Sequence, residues 1–419
     1  MQLPRMIRVR QRFDRPIVED IPGEVQRQLA SLNLGRRVRP GQSVAITAGS
    51  RGIANIAEIT RAIVAHCREL GLEPFVVPAM GSHGGATAEG QREVLAGYGI
   101  VEEFVGAPVR ASMETVIIDT TPQGIPVHFD RIASEADHVI VAGRIKPHTG
   151  FVGEIESGLH KMMLIGLGKA VGAAIYHKAI KDFTFFDIIT AVADSVIRKC
   201  RVLCGVGIVE NAYDETALIA AVATEEFYER EKALLKQARD WLPRLPFPDV
   251  DLLIIDQIGK NVSGTGMDTN VVGRKYNDHA ATDLDDARVR RIFIRSLTEQ
   301  THGNACGIGL AEFTTRRAAA QIDAQITRVN CITAGHPTAA MLPVVCENDR
   351  EAVEDALSTI GLTPPEHSRV IHIQDTLHLE TVLVSEAYAA EIPKQSRLEI
   401  VDRPAPMAFD SGGFLVPLS

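Results

Sequence analysis

The first half of the chain repeats one order: a short apolar run, a glycine-rich turn, then an amphipathic stretch. "SVAITA" (Ser43–Ala48) reads as a strand that stops at the turn "GSRG". Beyond it Ile56, Ile59, Ile63, Cys67 and Leu70 recur at spacings of three and four, which puts them on one helical face. Gly71 is placed to cap that helix. "PFVVPA" comes next as a second strand, then "MGSHGGA", then a helix from about Thr87; "TVIID" and "HVIVAG" add further strands. This order predicts an α/β fold in which mainly parallel sheets are covered by helices. Loops after the C-termini of such strands form the binding crevice. Three of them carry polar groups: Ser50–Arg51, Ser82–His83, and "KPHTGFVGEIESGLHK" (Lys146–Lys161).

A second region opens after "DWLPRLPFPDV", where prolines interrupt a charged helix spanning Glu225 to Trp241. The expected division is a cofactor-binding catalytic domain over 1–247 and a C-terminal α/β domain over 248–394. The tail, about 395–419, is expected to pack back on the first domain. In the second domain "DLLIID" and "RVIHIQ" read as strands, and helices are expected near Ala287–Leu297 and Arg350–Gly361. The glycine-rich "QIGKNVSGTGMDTNVVGRKYND" is a long loop of the kind that tends to be functional. Two domains make the cleft between them the expected active site.

Charge narrows the partners. A net charge of −9 gives no general attraction to nucleic acid or to an anionic membrane, so any anionic ligand must be held by local charges. No apolar run approaches the roughly 18–20 residues of a membrane span, and "MQLPRMIRVRQRFDRP" has no apolar core of a signal peptide. The six cysteines form no CxxC pair and read as buried thiols in a reducing, cytoplasmic setting.

Several residues could carry chemistry. His83, in "GSHGG", offers imidazole chemistry near neutral pH where flanking glycines let a ligand approach the backbone; it could equally hydrogen-bond its own loop. Pro147 stiffens the turn that projects His148 from a strand end. Lys161 and His177 bracket the mostly apolar "MMLIGLGKAVGAAIY". A lysine there is costly to bury unless modified or paired, and otherwise snorkels to solvent. Arg51 opens a helix, a combination suited to an anion. His148, Glu154, Glu156 and His160 could form a metal site for hydrolysis, although their spacing matches no standard zinc pattern. "GTGMDTN" lacks the lysine and spacing of a phosphate-binding loop, and Arg274 and Lys275 would place positive charge beside it.

Taken in order, "SRGIAN", "GSHGG", "KPHTGF", Lys161 and "IYHK" resemble the lactate racemase family, enzymes built around a nickel-pincer nucleotide. Lys161 and His177 stand sixteen positions apart, as the family's cofactor lysine and nickel-binding histidine do. The resemblance implies a racemase or 2-epimerase of a 2-hydroxy acid. Lys161 would carry the pyridinium-3-thioamide-5-thiocarboxylic acid mononucleotide, and His177 would bind its nickel. His83 and His148 would be the acid/base pair, while Arg51, with Ser50, would bind cofactor or the substrate's anionic group. Proton-coupled hydride transfer to and from the cofactor would pass through a planar 2-keto acid. "SGTGMDTN" falls where the family has a substrate loop, so Asp268, Thr269, Asn270 and Arg274 would contact substrate. The implied partners are the small 2-hydroxy acid and the enzymes that make the cofactor. A non-catalytic nickel- or nucleotide-binding relative is the alternative. Leu159–His160, Met162–Met163 and Ala48 replace residues typical of lactate racemases, which points to a larger or polyhydroxylated acid.

Overall fold

The computed structural model describes residues 1–50 and 52–418; Arg51, the expected anion-binding residue, lies outside the described residues. The chain divides into two compact units: Arg15–Leu242, and a terminal unit made of Met1–Asp14 with Pro243–Ser419. Its strands begin with β1 (Arg5–Gln11), β2 (Ser43–Ala48), β3 (Glu73–Pro78), β4 (Thr115–Thr120) and β5 (Pro126–Asp130). They continue with β6 (His138–Arg144), β7 (Val202–Glu210), β8 (Thr216–Ala223), β9 (Asp249–Ile255), β10 (Arg288–Ile294) and β11 (Phe313–Thr315). The last are β12 (Val344–Cys346), β13 (Val370–Ile373), β14 (Thr381–Ser385), β15 (Leu398–Ile400) and β16 (Ala405–Pro406).

In the Arg15–Leu242 unit the main sheet has the order β3-β2-β6-β7-β8. It is parallel except for β8, which returns antiparallel to β7. Side chains alternate across it, as the pleat requires. Ala45, Val77, Val139 and Val141 enter one core with the helices Phe185–Lys199 and Phe227–Asp240. Val44, Ile46, Val76 and Ile140 enter the other with the helix Ile56–Glu69. That helix buries Ile56, Ile59, Ile63 and Cys67, the predicted face, and Gly71 comes after it with φ +76°. Thr87 caps the helix Ala88–Gly97 by accepting from Gly90 N. "TVIID" departs from expectation: β4 pairs only with β5, in a separate antiparallel hairpin. Its residues are half-buried or exposed, so it lacks the two covered apolar faces of a central parallel strand.

The terminal unit holds a nine-stranded sheet of order β12-β11-β10-β9-β13-β14-β1-β15, with β16 on β1. The strands from β12 to β13 are parallel and the others antiparallel. Three expectations are corrected by this unit. The segment read as a helix near Ala287–Leu297 is β10, with Val289, Ile292, Phe293 and Ile294 buried. Over Ile292–Ile294 the strand is buried on both faces and loses its period of two, and so imitates a helical pattern. The tail belongs to this sheet and not to the first unit, since β15 and β16 pair with β1. The division falls at Leu242/Pro243 rather than after 247, and the first fourteen residues lie with the C-terminal half. The helix Asp349–Ser358 agrees with the prediction within the usual scatter of helix ends.

All six cysteines are buried. Burial pushes the Cys67, Cys200 and Cys331 thiols up to about 12, which leaves them protonated and inert. Among the described residues no helix is long and apolar enough to cross a membrane.

Candidate active site

The site is built on the segments that leave the C-terminal ends of β2, β3 and β6, three neighbouring parallel strands. After β6 the chain enters the short helix Gly158–Lys161, and Lys161 passes directly into a π-helical turn, Met162–Gly166. Such turns are rare and concentrate at functional sites. The other two loops rest on it. A β-carbon at Gly49, beyond β2, would lie 3.5 Å from Met162 Cε, and one at Gly81, beyond β3, would lie 3.1 Å from Ile165 Cγ2. Gly81 N also donates to Gly166 O at 3.4 Å. Glycine is needed where the helix sits on the sheet, because a β-carbon at Gly143 of β6 would meet Met162 Cγ at 2.7 Å.

His148 is fixed by its own loop. Its backbone N–H donates to Glu156 Oε2 at 2.9 Å. Its Nδ1 accepts from Gly150 N at 3.0 Å and Phe151 N at 3.1 Å. Two donors at Nδ1 put the proton of the neutral ring on Nε2. His83 is fixed the opposite way. Its Nδ1 lies 2.7 Å from Met80 O, which can only accept, so Nδ1 carries the proton and Nε2 the lone pair. The two predicted acid/base residues therefore hold complementary tautomers.

Phe151 is the hub, and the sequence does not mark it: it is one more apolar letter at the end of "KPHTGF". Its ring stacks on His148 at 4.2 Å and on Phe185 at 3.9 Å, and stands 6.3 Å from the His177 ring. Lys161 Nζ lies 5.6 Å from its centroid. One aromatic ring thus gathers three of the predicted residues. His177 comes from the last turn of the helix Lys169–Ala179. Its Nδ1 is buried and has no hydrogen-bond partner. Burial, then the charges of Lys161 and Lys181, lower its pKa and keep the imidazole neutral. Ser50 is half-buried, and its carbonyl accepts from Tyr98 OH at 2.9 Å.

The hydrolytic metal site is not assembled. Glu154 is taken by Lys232 and Tyr228. Glu156 is taken by Arg239 at 2.8 Å as well as by His148 N, and His160 Nδ1 meets Glu231 at 2.6 Å. Among the described residues no group of three or more His, Cys, Asp or Glu could hold a metal ion. Each carboxylate organises its surroundings: Glu156 ties the His148 loop to the helix Phe227–Asp240, and Glu231 meets the backbone before Lys161 by accepting from His160 N at 3.2 Å.

In the terminal unit the predicted substrate residues take structural places. Asp268 caps the short helix Thr269–Val272, accepting from Asn270 N at 2.9 Å and from Asn270 Nδ2 at 2.7 Å, and Thr269 is buried. Arg274 corrects the expectation of a positive charge beside the loop. It is 1% exposed, donates to Val289 O at 2.8 Å and pairs with Glu312 at 3.0 Å. "VGRKY" gives no sign of this, because burial of an arginine depends on an acid 38 residues away.

The lactate racemase N-terminal domain family matches residues 17–183, a span that contains Ser50, His83, His148, Lys161 and His177. No curated protein matches the chain. Among solved structures, the lactate racemase apoprotein from Thermoanaerobacterium thermosaccharolyticum is similar over 87% of this chain and 93% of that one, at 14% identity and a TM-score of 0.55. A protein from Thermotoga maritima matches over 68% of this chain and 72% of that one, with 14% identity and a TM-score of 0.47. At such identity the first likeness speaks for the fold, and the domain match speaks for the lineage. Residues 17–183 belong to the lactate racemase N-terminal domain family, and the fold of the chain is lactate racemase-like.

Proposed function

We propose that this protein is a nickel-dependent racemase or 2-epimerase of a 2-hydroxy acid, with a nickel-pincer nucleotide attached to Lys161. The observation that carries the reading is the convergence of His148, Lys161 and His177 on Phe151. The residues fit the group. His177 offers a neutral imidazole with a buried, unpartnered nitrogen, the protonation state that a metal ligand needs. Lys161, half-buried beside it, offers the amine for covalent attachment. Imidazole nitrogen is a ligand type that Ni(II) accepts.

When bound, the nucleotide supplies an electrophilic carbon that takes and returns the substrate's C2 hydrogen with its electron pair. The chain's own residues handle protons and position. The His83 Nε2 lone pair takes the hydroxyl proton, giving an imidazolium whose Nδ1–H stays on Met80 O, and returns it to the oxygen when C2 is reduced again, while the His148 Nε2–H donates a hydrogen bond to the substrate oxygen in the other orientation. Phe151 and Phe185 keep water from one side of Lys161. Arg51 and Ser50 are proposed to hold the substrate carboxylate or cofactor anion. A 2-hydroxy acid larger or more hydroxylated than lactate is the proposed substrate class, with cofactor-making enzymes as partners.

Co-expression with a cofactor-synthesis system that loads a control lactate racemase tests this. Intact-protein mass spectrometry should find a sulfur-containing adduct mapped to Lys161, with about one nickel per chain. A panel of 2-hydroxy acids should then give at least one racemised or epimerised substrate. Unmodified Lys161 would sink the proposal. Adduct and nickel without turnover across the panel would instead identify a non-catalytic binder.

A further inference from the structure

A buried charge beside the site is left unused by the proposed chemistry. Lys169 and Asp130 are both 0% exposed, and their Nζ and Oδ2 atoms approach to 2.8 Å. The contact is ionic and lies off a hydrogen-bond direction, since Oδ2 has no hydrogen-bond partner, while Oδ1 caps the helix Arg131–Glu135 through Ala133 N at 2.9 Å. Lys169 Nζ also donates to Pro78 O at 2.5 Å and to Gln91 Oε1 at 3.3 Å. Gln91, equally buried, points its amide nitrogen at the catalytic turn, donating to Gly81 O at 2.9 Å and His83 O at 3.3 Å. The turn is seated on the same helix: a β-carbon at Gly84 would lie 2.5 Å from Gln91 N.

Burying an ion pair is costly and is retained only with completed geometry. Lys169 completes it by joining the end of β3, the helix Ala88–Gly97 and the end of β5. It does so from a left-handed backbone, φ +53°, unusual for a side chain with a β-carbon. The same residue begins the helix that carries His177 in its last turn. We infer that Lys169, acting through Gln91, is a positioning residue for His83, and that it ties the proton-transfer turn to the segment bearing Lys161 and His177. The inference rests on the reading of His83 as an acid/base group.

Gln91→Glu keeps the acceptor for Lys169 but replaces the amide donor with a carboxylate facing two carbonyls; Gln91→Met removes both links. A double change, Lys169→Met with Asp130→Asn, removes both charges together. Full-length protein, with and without the cofactor loaded, is compared by ¹⁵N histidine NMR, with His83 assigned by its loss in His83→Asn. The expected result is an intact Lys161 adduct, unchanged nickel content and KM within about two-fold. In the same variants kcat falls about 10- to 100-fold, the scale of a misplaced reacting group, and His83 loses its Nδ1–H tautomer signature. Variants that fold with the His83 signature and kcat of the parent overturn the inference. Should Gln91→Met fail to fold, the isosteric Gln91→Glu carries the test. The tautomer is read without substrate, so it decides the positioning even if no 2-hydroxy acid is turned over. An unmodified Lys161 in the parent would be a separate failure, of the functional reading alone.

Discussion

At the scale of single residues, His148 does two things with two nitrogens. Nδ1 organises the loop by accepting from Gly150 and Phe151, which puts the ring proton on Nε2, the atom proposed to meet substrate. Asparagine can imitate the first role with Oδ1 and cannot perform the second. His148→Asn should therefore keep the Lys161 adduct and nickel while turnover falls about 10²–10³-fold, the usual weight of a hydrogen-bond donor to a developing oxyanion. His148→Ala should lose part of the loading as well, because the loop loses its acceptor. Equal loading in the two variants would remove the organising role. Other histidines set a pH limit. His66, His128 and His138 all have lowered pKa values, chiefly through burial. The unfolded chain then binds more protons than the folded one from about pH 6.5 downward. Stability is full above that point and declines as the pH falls below it. Thermal melts should show a level Tm from pH 7.5 to about 6.5 and a falling one from there to pH 5.5, and His66→Gln should flatten the fall; a Tm that rose on acidification would contradict this. As candidates, His83, His148, Lys161 and His177 were legible because loop position, chemistry and order coincide in the letters. Glu156 was not. A carboxylate that ties a loop to Arg239 has the same letter as one that binds metal, and only the fold separates the two.

At the scale of elements, the π-helical turn decides how Lys161 faces relative to His177. It inserts its wide turn between the helix ending at Lys161 and the one beginning at Lys169. Removing one residue, Ile165, would let the turn relax toward α-helix and rotate the flanking segments by about 100°. The variant should fold with a lowered Tm yet fail to hold nickel or a Lys161 adduct, measured by metal analysis and intact mass. Full loading would show that the turn does not set the register. Nothing in "MMLIG" announces this turn, since its apolar letters suit any buried helix. The helix Ile56–Glu69, by contrast, could be read from one amphipathic face and a glycine just beyond it. β10 went astray for a related reason: its consecutive buried residues Ile292, Phe293 and Ile294 carry no contrast between faces.

At the scale of the whole molecule, the N-terminus belongs to the C-terminal half. β1 is part of the terminal unit and lies inside its sheet between β14 and β15. It places Ile7 and Val9 in one core of that unit and Met6 in another. Three buried side chains at about 1.5–3 kcal/mol each are comparable with a domain's entire stability of about 5–15 kcal/mol. A chain lacking residues 1–14 should retain a cooperative transition for Arg15–Leu242 and lose the one belonging to Pro243–Ser419. Urea unfolding followed by fluorescence and by limited proteolysis would separate the two. Two undiminished transitions would show that β1 is dispensable.

The placement of β1 also imposes an order on birth from the ribosome. Met6 pairs with Ser385 and Val9 with Val382, so the strand is made long before its partners. At about 5–20 residues per second that interval is roughly 20–75 s. Over that time the Arg15–Leu242 segment can complete its own sheet, while a strand carrying the apolar Met6, Ile7 and Val9 waits upstream with its partners not yet made. Chaperones that hold nascent chains should find their clearest grip on this protein at those first residues.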